Sequence, residues 1–125
     1  MKRIVLCGSM KLKEKIFEVE EYLKNKGYEV VTPKEFRVEM TKEDASKLHF
    51  DEIANKNTDI VLAVNVTKNG IENYIGPNTF AEIAMAFYFN KKIYVLNDIY
   101  EPYRDELEGW NVVALKGNLE DKFFY

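Results

Sequence analysis

The chain has 125 residues, 46% hydrophobic and 31% charged. That is enough for one hydrophobic core, too short for two, and too apolar for a disordered segment. Its 18 basic residues are scattered and its net charge is −3, so no basic stripe follows a phosphate backbone and no nucleic-acid polymer is expected as a partner. The longest apolar run, residues 80–89, contains Glu82, so no membrane span is expected.

In chain order, residues 3–7, Arg-Ile-Val-Leu-Cys, are a short apolar run closed by Gly8. It reads as a buried first strand and is too short for a signal peptide. Cys7 is the single cysteine; it excludes an internal disulfide and suits a reducing cytoplasm, the expected location. Leu12, Ile16, Val19 and Leu23 recur at helical spacing until Gly27 ends the helix. Residues 28–32, rich in β-branched side chains, read as a second strand closed by Pro33. A polar stretch, residues 34–41, leads to a helix over 42–56.

Residues 59–65, Asp-Ile-Val-Leu-Ala-Val-Asn, are the clearest buried strand. Residues 79–90 are helical and apolar nearly all round, which predicts the most buried helix. Residues 92–97 and 111–115 read as the last two strands, with a short helix near 103–108 between them. Tyr100, Tyr103 and Trp110, with Phe123-Phe124-Tyr125, are expected in packing or a subunit contact. Alternating strands and helices predict a single-domain α/β fold. Its five-stranded parallel sheet is doubly wound, in the flavodoxin- or Rossmann-like order 2-1-3-4-5.

Ligands of such sheets bind at the carboxyl ends of the strands, where the winding reverses. Here that is between strands one and three, at Gly8-Ser9-Met10 and at the connection between Asn65 and Thr79. This connection is long for a βα loop, carries Tyr74, Gly76 and Asn78, and ends at a helix amino terminus. There is no Gly-Lys-Ser/Thr and no G-x-G-x-x-G. One Cys and one His supply too few of the usual zinc ligands, and no metal or cofactor is expected.

Glu82 is the candidate catalytic residue, a lone carboxylate in an apolar helix, costly to bury unless it is used. Thr79-Phe80-Ala81-Glu82 is also a capping box, in which Glu82 would satisfy its own helix terminus. Asp51 lies at the edge of its helix's apolar stripe and His49 nearer the centre. Ser9 reads as a helix cap or a phosphate donor, and Tyr74 as a base-stacking ring or a loop seal.

Three patches resemble the nucleoside 2-deoxyribosyltransferase family and the related 2′-deoxynucleoside 5′-monophosphate N-glycosidases. They are Leu6-Cys7-Gly8-Ser9-Met10; His49-Phe50-Asp51 with Asp59-Ile60-Val61-Leu62-Ala63; and residues 76–86 with Lys91-Lys92-Ile93. The resemblance implies Glu82 as nucleophile at C1′ of the sugar, through a covalent glycosyl-enzyme, and Asp51 as acid or base at the departing base. It implies that Gly8, Ser9, Met10, Asn65, Tyr74, Gly76, Asn78 and Thr79 hold a small-molecule nucleoside or nucleotide, and that the chain forms a homodimer or larger homo-oligomer. Asn78 stands where the transferases often have a carboxylate, and Met10-Lys11-Leu12 replaces an arginine-bearing turn. Gly76-Pro77-Asn78-Thr79 up to Glu82 also resembles the signature of the cytokinin-activating phosphoribohydrolases, which cleave the same type of bond. The alternative is a non-catalytic nucleotide-binding module.

Overall fold

The computed structural model describes residues 2–120; Phe123, Phe124 and Tyr125 lie outside them. Strand β1 (Arg3–Cys7) alternates sharply. Ile4 and Leu6 enter one hydrophobic cluster, Val5 and Cys7 the other, because successive side chains of a strand point to opposite faces. Helix α1 (Lys13–Asn25) covers the first face with Ile16, Val19 and Leu23. The second is covered by α2 (Lys42–Ala54), α3 (Pro77–Tyr88) and the short α4 (Arg104–Gly109), through Ile53, Ile83, Ala86 and Leu107.

The remaining strands are β2 (Glu29–Val31), β3 (Ile60–Ala63), β4 (Lys92–Val95) and β5 (Val113–Ala114). All pairings are parallel and the order is β2-β1-β3-β4-β5, as the alternation predicts. The strands are shorter than the apolar runs imply, β5 above all. Tyr100, Tyr103 and Trp110 join the second cluster, where Phe80 meets Tyr103 and stacks on Trp110.

Arg3 locks the amino ends of the strands. Its guanidinium donates to Glu29 and Glu52, at 2.9 Å each, and to the Thr58 hydroxyl, while its backbone N–H donates to Asp59. One side chain thus ties β1 to β2, to α2 and to the turn before β3, and leaves the carboxyl ends of the strands for a site.

Candidate functional site

The first wall of the site follows β1. Gly8 leaves the strand in a tight place, since a Cβ there would stand 2.8 Å from Ile16 Cδ1 and 3.4 Å from the Val64 carbonyl, and Ile16 would have to shift. Ser9 Oγ then accepts from the Lys11 N–H at 3.2 Å, starting a 3-10 turn over Met10–Leu12. Ser9 is therefore a cap in this structure, with Met10 exposed beside it.

The second wall is the connection between β3 and α3, which is stitched rather than loose. Lys68 and Ile71 exchange backbone hydrogen bonds at 3.0 and 2.9 Å around Asn69-Gly70. Both turn residues have positive φ, 51° and 78°, as a tight hairpin with right-handed twist requires. Ile75 anchors the loop in the core. Tyr74 is held edge-on by Tyr100, with Lys68 Nζ 5.2 Å from its ring centre.

Asn65 governs this loop and is not on the cavity wall. Its amide donates to the Asp98 and Asn73 carbonyls at 2.6 and 3.3 Å, and its side-chain oxygen accepts from the Asn97 N–H at 2.9 Å. With 1% exposure and its polar atoms engaged, it ties the ends of β3 and β4 to the loop. Of the residues expected to hold a ligand, Asn65 alone does not line the cavity.

Helix α3 begins earlier than its apolar pattern suggests. Gly76 is its N-cap and Pro77 its first residue, where a missing N–H costs nothing. Thr79 is therefore inside the helix and Glu82 in its second turn, so the capping-box reading of Glu82 does not hold. Among the described residues no side chain caps this end, and Asn78 and Thr79, whose N–H groups the first turn leaves without helical partners, line the cavity.

Between the walls is a cavity of about 670 Å³. Gly8, Ser9, Met10, Tyr74, Gly76, Asn78 and Thr79 all line it. Three lysines, Lys11, Lys42 and Lys68, line it too. So does Glu35, which sequence reasoning missed because it sits in the polar stretch before α2. One Glu35 oxygen, Oε1, is buried without a hydrogen-bond partner among the described residues.

Behind this wall lies a buried cluster of Cys7, His49 and Glu82. Each neighbours a wall residue in sequence: Cys7 precedes Gly8, His49 is one turn past Ala45, and Glu82 is three residues past Thr79. Cys7 Sγ stands 3.5 Å from His49 Nε2, and His49 Nε2 stands 3.7 Å from Glu82 Oε2. The Glu82 side chain is 8% exposed.

Burial, then the charge of Glu35, pushes the Glu82 carboxyl up to about 8, against weaker pulls from Cys7 and Lys42. Burial holds His49 down at about 4 despite a hydrogen bond to the Leu6 main chain. Burial, and then Glu82, pushes the Cys7 thiol well above its ordinary range. Near neutrality the cluster is therefore uncharged, which is how buried ionisable groups avoid the cost of lost hydration.

Asp51 is not brought to this place. It is exposed on α2, two residues past His49, and lines no part of the cavity. The helix turns His49 inward and Asp51 outward, since two residues on a helix do not share a face.

No family model matches the chain, and no curated protein matches it by sequence. Among solved structures it is similar to the CMP N-glycosidase BcmB of Clostridium botulinum. The identity is 25% and the TM-score 0.63, over 90% of this chain and 87% of that one. Among the described residues, no helix is long and apolar enough to cross a membrane.

Proposed function

We propose that the chain cleaves or transfers the N-glycosidic bond of a nucleoside or nucleoside monophosphate, with Glu82 as nucleophile. The observation that carries this reading is the position of Glu82. It lies one helical turn behind the N–H groups that open on the cavity, on a chain whose fold neighbour is an N-glycosidase. In its ionised form Glu82 attacks C1′. The C1′–N bond breaks, the base leaves with its electron pair and takes a proton from water, and a glycosyl ester remains. Water, or a second base, then attacks C1′ and frees Glu82.

The wall groups suit such a substrate. The free N–H groups at the start of α3 and the three lysines favour an anion such as a 5′-phosphate. The unpartnered oxygen of Glu35 calls for a donor, which a sugar hydroxyl supplies. Tyr74, braced by Tyr100, offers a face for a base. Asp51, exposed and off the wall, has no part in this scheme.

A second reading, a non-catalytic nucleotide-binding module, is favoured by one observation: burial keeps Glu82 protonated at neutral pH. Chromatography for free base separates the two. The protein and Glu82→Gln are incubated with a panel of nucleosides and monophosphates, with and without an acceptor base. Base release by the wild type that is lost in Glu82→Gln supports the glycosidase. Tight binding without release by either protein overturns it in favour of the module.

A further inference from the structure

We propose that Cys7, His49 and Glu82 form a binding site for one zinc-class divalent ion. Three donor types that zinc accepts meet in one buried place, their ligand atoms all within 4.8 Å of one another. Cys7 hydrogen-bonds both His49 and Glu82, and the same spacings fit ligands that share one ion. The 3.7 Å between His49 Nε2 and Glu82 Oε2 is too long for a hydrogen bond. Two ligands at ordinary zinc distances in tetrahedral geometry stand about 3.5 Å apart, which is the Cys7–His49 separation of 3.5 Å.

The surroundings suit an ion as well. The His49 ring also hydrogen-bonds the Leu6 main chain, the kind of outer contact that orients a metal-binding imidazole. A neutral ring keeps a lone pair for the ion. Gly8, Ala45 and Thr79, the cavity-lining residues next in sequence or one helical turn from the three ligands, are small, and three protein ligands leave a fourth tetrahedral position for water. Counting cysteines and histidines missed the site because its third ligand is a carboxylate 33 residues past His49.

Binding forms Zn–S, Zn–N and Zn–O bonds and sends the protons of the Cys7 thiol and the Glu82 carboxyl to solvent. The site stands or falls independently of the proposed reaction. If Glu82 is the nucleophile, the ion occupies the attacking carboxylate and switches base release off.

The test is titration of the metal-stripped whole chain with Co²⁺, then displacement by Zn²⁺. One equivalent is expected to bind, with a thiolate-to-cobalt charge-transfer band and the intense visible bands of a tetrahedral site. Cys7→Ser should lose the charge-transfer band, and Glu82→Gln should weaken zinc binding about tenfold or more. Should Cys7→Ser not fold, X-ray absorption of the zinc-loaded wild type decides. One sulfur at about 2.3 Å with nitrogen and oxygen near about 2.0 Å supports the site. An all-oxygen and nitrogen shell overturns it, as do a folded wild type that binds no ion and zinc affinity unchanged in a folded Cys7→Ser.

Discussion

His49 Nε2 and Glu82 Oε2 stand 3.7 Å apart with both side chains buried, and their proton affinities are displaced in opposite directions. The acid binds its proton up to about pH 8, while the base releases its proton at about 4. Neither behaves this way in the unfolded chain, so the pair leaves a signature in stability against pH.

The signs follow from which state holds more protons. The Glu82 pKa is raised from 4.5 to about 8 on folding, so its contribution falls as pH rises through that window. That of His49 is lowered from 6.5 to about 4, so its contribution grows with pH between those values. From 4.5 to 6.5 the two oppose, and from 6.5 to 8 Glu82 acts alone. Denaturant melts of the metal-free protein should lose about 2 kcal/mol between pH 6.5 and 8. Glu82→Gln should abolish that loss and uncover a rise below 6.5. Equal slopes in the two proteins would show that Glu82 is not buried as described.

Glu35 is the second cause of the raised Glu82 pKa. Glu35→Gln should therefore move the end of the alkaline loss below pH 8, read from the same melts. If Glu35 accepts from a sugar hydroxyl, the variant should also raise the KM for a cleaved nucleoside about tenfold, a loss of about 1.4 kcal/mol.

Asn65→Ala removes the donor to two carbonyls and the acceptor for the Asn97 N–H. A loss of about 2–4 kcal/mol is expected, because buried main-chain groups are left unpaired. Hydrogen exchange should quicken at Asn97, and in the loop that carries Tyr74. A thermally neutral variant would show that the loop does not depend on this side chain.

Gly8→Ala places a methyl group 2.8 Å from Ile16 Cδ1. The cost is expected at about 1–3 kcal/mol. Ile16→Val deletes the atom in the way, so the double variant should be less unstable than the sum of the two single changes. Strict additivity would count against this contact.

Asp51→Asn tests the resemblance against the structure. An exposed residue off the cavity wall should change base release by no more than about twofold, the range of ordinary surface substitutions. A large loss would bring Asp51 back into the reaction.

The β1 and β3 runs, the Leu12-to-Leu23 periodicity and the alternation of strands with helices were legible in the sequence alone, because each reflects a local repeat of burial. The cavity also opens after β1 and β3, where parallel winding leaves room for it. Seven of the eight residues expected to hold a ligand line the cavity for that reason, Asn65 being the exception. The tertiary structure alone decided what Glu82 faces. A capping box and a buried second helical turn share the same four letters, and the difference is a helix start at Pro77 fixed by a loop anchored elsewhere. It likewise brought together Cys7, His49 and Glu82 from a strand and two helices. It also brought Glu35 out of a featureless polar stretch and left Asp51 in solvent. Such relations depend on the register between elements, and local periodicity does not encode which face of one element meets which face of another.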